Sequence, residues 1–227
     1  DILEELAARE DGAAARRALA AQLASGEWVA KDGKRARSLY EADAEKGDTD
    51  SQMALGMALL AGDLGKPDRR AGERWLRRAG EAGNSDALDA LATWYFYDDP
   101  EDEGNRRKAL GIWSESMASP GDWGLNNYAW ALCTVSQASL RDPAGGLALA
   151  RRMGEDLPPS QLDTVAACHA ANGDFERAVE LQARAIEEAG EDAGDGMHER
   201  LAAYRAGRAY IETAEDAPDL PSRNEDP

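Results

Sequence analysis

The groups able to do chemistry in this 227-residue chain are few. Histidine occurs twice, as His169 and His198. His198-Glu199 lacks the second histidine one turn on that a zinc-protease helix carries, so it gives no metal signal. His169 falls within a helical pattern where a bulky packed residue is expected, and it is read as packing rather than as a base. Two cysteines and two histidines spread along the chain form no cluster for structural zinc. No Gly-x-x-x-x-Gly-Lys run is present to cradle a phosphate, and Ser114, Ser116 and Ser160 lack the flanking glycines of a nucleophile elbow. The acidic turn from Asp98 to Gly104 approaches calcium-loop spacing when counted from Asp99. Leu110 stands where the closing bidentate glutamate belongs, so the turn is read as a solvated loop. No catalytic residue, metal or cofactor is expected.

Charge narrows the partners. Asp and Glu number 44 against 26 Lys and Arg, for a net charge of −18. Nucleic acid is therefore not an expected partner, because phosphate contacts need a basic surface. Arg69, Arg70, Arg74, Arg77 and Arg78 form a local basic cluster. It is read as an outer helix face paired with neighbouring acids. No run of 18 apolar residues occurs, so no membrane span is expected. The chain begins at Asp1, which leaves open whether a signal peptide or a tag was removed. Cys133 and Cys168 lie 35 residues apart. They are either a bridge, worth ~4 kcal/mol by chain entropy, or two buried thiols. The bridge is adopted as the expectation, and with it an exported protein.

The elements that position these residues are helical. Ala dominates the apolar share while Val, Ile, Phe and Thr are sparse, which favours helix over sheet. From Leu162 to Ala189 the pattern is a helical hairpin. Leu162, Val165, Ala166 and His169 share one face. Asn172-Gly173-Asp174 breaks the helix, with Gly173 as left-handed cap and Asp174 as the next N-cap. Ala178, Leu181, Ala185 and Ile186 give the second helix its apolar stripe. One hairpin cannot bury its own face, so others are required. Leu19-Ala20, Gly26, Asp32, Leu39, Ala44 and Gly47 recur 36 residues later as Leu55-Gly56, Gly62, Asp68, Trp75, Gly80 and Gly83. Such a period signals a solenoid. Leu91-Ala92 continues it, Trp113 falls two residues late because the Asp98–Gly104 turn is longer, and a fourth unit runs from about Trp123, with Ala129 lying 37 residues after Ala92. Pro143 is placed to start that unit's second helix.

The first three units resemble the Sel-one-like repeat, on Leu55-Gly56, Gly62, Asp68, Trp75, Ala79 and Gly83. The last two resemble the tetratricopeptide repeat, on Gly173-Asp174-Phe175 and the Ala178 to Ala185 spacing. Two departures stand out: Gly72 replaces the alanine usual in the second helix, and Asp98 stands where a glycine belongs. The resemblance implies an all-α fold, a right-handed superhelix (α-solenoid) of stacked antiparallel helical hairpins. It also implies a binding role rather than catalysis. The expected layout is one repeat domain over residues 1–213. It comprises a leading helix in 1–18, three Sel-one-like repeats over 19–122, two tetratricopeptide-like repeats over 123–190 and a capping helix over 197–213. That last helix would carry Leu201, Tyr204, Ala209, Tyr210 and Ile211. Residues 214–227 are too polar to pack and are expected to be disordered.

In this architecture the first helices line the concave side. Aligning the units on Ala20, Gly56, Ala92, Ala129 and Ala166 turns Met57, Leu60, Asp89, Thr93, Phe96, Tyr97, Asn126, Trp130 and Asp163 inward. Aromatic and methionine side chains among acids and amides suit an extended peptide, with basic residues beside its apolar anchors. The alternative, that Phe96 and Trp130 fill the gap between helices, stays open. The expected function is a non-catalytic protein- or peptide-binding scaffold. Two other classes remain: a hydrolase or accessory acting on cell-wall material, for which no acid pair is found, and a structural module whose concave face is packed shut by the N-terminal helix.

Overall fold

The computed structural model describes residues 2–117 and 122–216, the side chains of residues 122 and 123 excepted. Among these residues there are twelve α-helices and no strand. Of the tail expected to be disordered, Ala214–Asp216 is a short 3-10 turn and the remainder lies outside the described residues. The chain divides into two compact units, the division falling after Trp94.

The first unit holds α1 (Ile2–Ala7), the hairpin of α2 (Ala13–Ser25) and α3 (Gly33–Ala44), the hairpin of α4 (Thr49–Ala61) and α5 (Arg69–Glu81), and the start of α6 (Ser85–Asp98). Its core runs through Leu19, Leu23, Tyr40, Leu55 and Leu59, with Ala20, Ala36 and Ala44 where backbones draw close. Arg16 ties three helices together. Its guanidinium donates to Asp43 at 2.5 and 2.9 Å and to the carbonyls of Ala7 and Arg9 at 2.9 and 2.7 Å. The hydrogen bond from Arg16 holds the Asp43 carboxyl below its ordinary range. The basic cluster on α5 pairs in part as expected, Arg77 with Glu73 at 3.0 Å, while Arg69 and Arg78 lie over the rings of Trp94 and Trp75.

A close approach between α4 and α5 explains Gly72. A Cβ there would stand 2.8 Å from the Gly56 carbonyl oxygen and 2.8 Å from Leu60 Cγ. A Cβ on Gly56 would meet Leu76 Cγ at 2.7 Å. The two glycines let α4 and α5 pack backbone to backbone, and the missing methyl is a requirement of the interface rather than a blemish in the repeat.

The second unit holds the end of α6, then α7 (Glu103–Ser116), the hairpin of α8 (Asp122–Thr134) and α9 (Pro143–Ala150), the hairpin of α10 (Pro159–Ala171) and α11 (Phe175–Ala189), and α12 (Asp195–Arg205). Leu162, Val165, Ala166, Ala178, Leu181 and Ala185 form its core with Tyr204. Gly173 has φ +83° and Asp174 caps α11, as the hairpin motif requires. His169 is mostly buried, as expected of a packed helix residue, and its Nδ1 lies 2.9 Å from the Asp174 carboxylate of that cap. Cys133 and Cys168 are bridged, with Cα atoms 5.1 Å apart. The bridge joins α8 to α10. Gly146 leaves room for the bridge, since a Cβ on it would stand 2.4 Å from Cys133 Sγ.

The capping helix is shorter than expected. It ends at Arg205, not at residue 213. Gly207 takes φ +68°, and the Arg208 amide reaches back to the Ala203 carbonyl, which closes the helix as glycine-terminated helices commonly close. Ala209, Tyr210 and Ile211 follow as non-helical chain.

Gly72→Ala should therefore lower stability. Overpacking against a backbone oxygen costs ~1–3 kcal/mol, which outweighs the ~1 kcal/mol that alanine gains in a helix. Gly111, whose Cβ would meet nothing within 4 Å, is the control. Gly111→Ala should raise stability by ~0.4–1 kcal/mol. Urea unfolding of both variants checks the pair.

Candidate functional site: a groove in the second unit

Six polar or aromatic side chains from α6, α8, α10, α12 and the segment after α12 converge on one cavity of 420 Å³. They are Tyr97, Asn126, Trp130, Asp163, Arg200 and Glu212. Helix α8 supplies Asn126 and Trp130 one turn apart, and α10 supplies Asp163 alongside. The floor is polar and closed: Asn126 is 9% exposed, Asp163 7% and Glu212 2%.

Two ion pairs of different quality hold it. Arg200 forks onto Asp163, at 2.8 and 2.6 Å, while its guanidinium lies 5.3 Å from the ring centres of both Trp130 and Tyr210. Burial opposes the Arg200 charge, but Asp163 outweighs it and keeps the group above its ordinary value. The second pair is looser. Arg106, fully buried, has Nη2 4.0 Å from Glu212 Oε1, and its Nε donates to the Pro100 carbonyl at 3.1 Å. Its guanidinium rests 4.1 Å above the Phe96 ring. Among the described residues, Arg106 Nη1 and Nη2, Glu212 Oε1 and Asn126 Oδ1 are buried without a hydrogen-bond partner. Burial pushes Glu212 above the usual carboxylate range and Arg106 below its usual value. Burial likewise raises Tyr97 and Tyr210, so both stay phenols.

The segment after α12 lies along this groove as non-helical chain. The Glu212 amide donates to the Thr134 carbonyl at 2.8 Å. Glu212 Oε2 accepts from Trp130 Nε1 at 2.6 Å and its carboxyl also bonds the Tyr97 hydroxyl. The Tyr210 ring stands 5.6 Å from that of Trp130. Thr213 closes onto Asp216 at 2.6 Å.

The nine inward-facing residues expected from the alignment thus divide. Tyr97, Asn126, Trp130 and Asp163 meet in this cavity. Leu60 and Phe96 are fully buried and belong to the packing, which corrects their assignment to a groove. Met57 lines a separate depression of 390 Å³ in the first unit, with Met53, Ala54 and Tyr40. Asp89 and Thr93 are half-buried on the part of α6 that belongs to the first unit. Asp163 is not a free acid for a basic partner, because Arg200 occupies it. Arg106, Arg200, Tyr210 and Glu212 were not among the expected residues. Only Arg106 carried a signal: it lies four residues after the capping Asp102, where the other second helices have Ala36, Gly72, Gly146 and Ala178.

The fold is a helical-repeat solenoid of antiparallel hairpins. It is similar to that of a protective antigen present in uropathogenic Escherichia coli strains, which displays an SLR fold, with TM-score 0.59 and 20% identity. That match covers 86% of this chain and 42% of the antigen, so the chain spans less than half of that protein. It is also similar to a Sel1 repeat protein from Oxalobacter formigenes, with TM-score 0.58 and 17% identity over 93% of this chain and 84% of the other. The chain therefore has the Sel1-repeat fold. No family model matches the sequence, and no curated protein matches it.

The forked geometry makes Arg200 sensitive to a conservative change. Arg200→Lys keeps the charge but loses the two parallel bonds and the stacking between two rings. Stability should fall by ~1.5–3 kcal/mol, the range for hydrogen bonds to charged groups, as read from thermal unfolding.

Proposed function

We propose that this protein is a non-catalytic scaffold that binds an extended stretch of polypeptide on the first-helix face of its second unit. The observation that carries this reading is the seating of residues 208–213 there: a piece of non-helical chain is held by a backbone hydrogen bond, an aromatic contact and a side-chain anchor. A face that receives one extended segment offers another the same donors and acceptors. The polar, aromatic floor resembles a peptide groove more than a small-molecule pocket, which is usually lined mainly by apolar groups. The N-terminal helix does not favour the structural-module alternative, since α1 packs on α2 within the first unit. The Cys133–Cys168 bridge supports an exported protein, because such bonds persist in oxidising compartments. No helix among the described residues is long and apolar enough to cross a membrane.

A random peptide library displayed on phage and panned on the purified chain tests the reading. Extended peptides should be enriched. Trp130→Ala should weaken their binding by ~2 kcal/mol or more, as aromatic anchors do, while the helical spectrum is retained. Failure to enrich any peptide, or binders indifferent to Trp130, would overturn it.

A further inference from the structure

The groove's chemistry specifies its ligand further than a generic peptide. Arg106 stands at the position where the other four second helices carry only glycine or alanine. A guanidinium has thus been placed at the point of close helix approach, sealed from water, over Phe96. Arginine does not give up its proton, so this site holds a fixed positive charge that needs an anion. In the second unit that anion is Glu212, which arrives on a segment with no secondary structure of its own. The fit is incomplete. The closest approach is 4.0 Å, and among the described residues both Arg106 Nη donors and Glu212 Oε1 have no hydrogen-bond partner, nor does Asn126 Oδ1, whose residue lines the same cavity as Glu212. A cavity of 420 Å³ stays open next to the docked segment. Among the described residues one backbone hydrogen bond, from Glu212 to Thr134, ties residues 208–213 to α8. Gly207 at φ +68°, between exposed residues, turns the chain out of α12 into the segment.

We infer that this seat recognises an extended acidic segment of a partner protein, with an aromatic residue two positions before a carboxylate, and that Tyr210-Ile211-Glu212 is the chain's own stand-in for it. The inference rests on the peptide-groove reading and names the ligand's chemistry. The aromatic stacks on Trp130. The carboxylate takes the Trp130 and Tyr97 donors and reaches the Arg106 Nη groups that Glu212 leaves unfilled. A forked carboxylate–guanidinium contact is stronger than the present one-sided approach, so the partner's segment displaces the resident one.

The test uses the full chain carrying Tyr210→Ala and Glu212→Ala, which empties the seat. The probe is a fluorescein-labelled synthetic peptide with the sequence of residues 208–216, titrated by fluorescence anisotropy. The emptied chain should bind it at least about tenfold more tightly than the unaltered chain does, and the same peptide with Glu212→Gln about tenfold more weakly. Equal binding of the two peptides would overturn the acidic specificity while leaving a peptide groove in place. No binding of either peptide to a variant that keeps its helical spectrum and melting temperature would overturn both. Should the double variant fail to fold, the unaltered chain with each peptide in large excess gives the same comparison: tighter binding of the unaltered peptide supports the acidic specificity, and equal or absent binding overturns it.

Discussion

Close approach of helix backbones is the constraint on which this structure depends. Each second helix opens on an aspartate whose carboxylate accepts the amide three residues on: Asp32, Asp68, Asp102, Asp142 and Asp174. The cap fixes where the helix starts, and with it which residue falls one turn later against the preceding helix. That residue is Ala36, Gly72, Gly146 or Ala178 in four hairpins. Small side chains there allow hairpins with few large apolar residues to bury what they have. The dispersion gained by backbone contact substitutes for bulk in a chain whose apolar share is largely alanine. The disulfide obeys the same constraint, since it fits only because Gly146 has no side chain.

Arg106 breaks the rule, and the groove follows from the break. A long charged side chain at a close-approach position cannot pack as a methyl would. It spreads over Phe96, bonds the Pro100 carbonyl and, among the described residues, leaves both Nη groups without a hydrogen bond, the nearer one 4.0 Å from Glu212. The segment 208–213 is held there by what that cation lacks. Arg200 and Asp163 satisfy each other and shape the wall between Trp130 and Tyr210, so the charge that remains to be answered lies at the floor. An overall net charge of −18 does not describe the local field of such a site.

Much of the fold was legible in the sequence, because caps and close contacts leave periodic traces. The 36-residue recurrence from Leu19 to Gly83 and the Asp–small residue spacing reflect backbone geometry that every repeat must satisfy. The end of the last helix was misjudged because Leu201, Tyr204 and Tyr210 continue an apolar pattern past Gly207, and periodicity does not register a left-handed glycine inside it. The site was only half legible. Trp130, Tyr97, Asn126 and Asp163 follow from alignment of the first helices. Leu60 and Phe96 align equally well yet are buried, because alignment gives the face of a helix but not how far its neighbours cover it. Glu212 left no trace, since its partners Trp130 and Arg106 are remote in sequence and its segment belongs to no repeat.

The central claim is that the first-helix face of the second unit is a seat for an acid-anchored extended segment, filled in the free chain by its own residues 208–213. Hydrogen exchange at the Glu212 amide, whose acceptor is the Thr134 carbonyl, tests this most directly. In the free chain that amide should exchange more slowly than in an unstructured peptide. With a saturating peptide of residues 208–216 it should exchange at least about tenfold faster while helix amides keep their protection. An amide already unprotected in the free chain, or one left unchanged when the peptide is bound, would contradict the account.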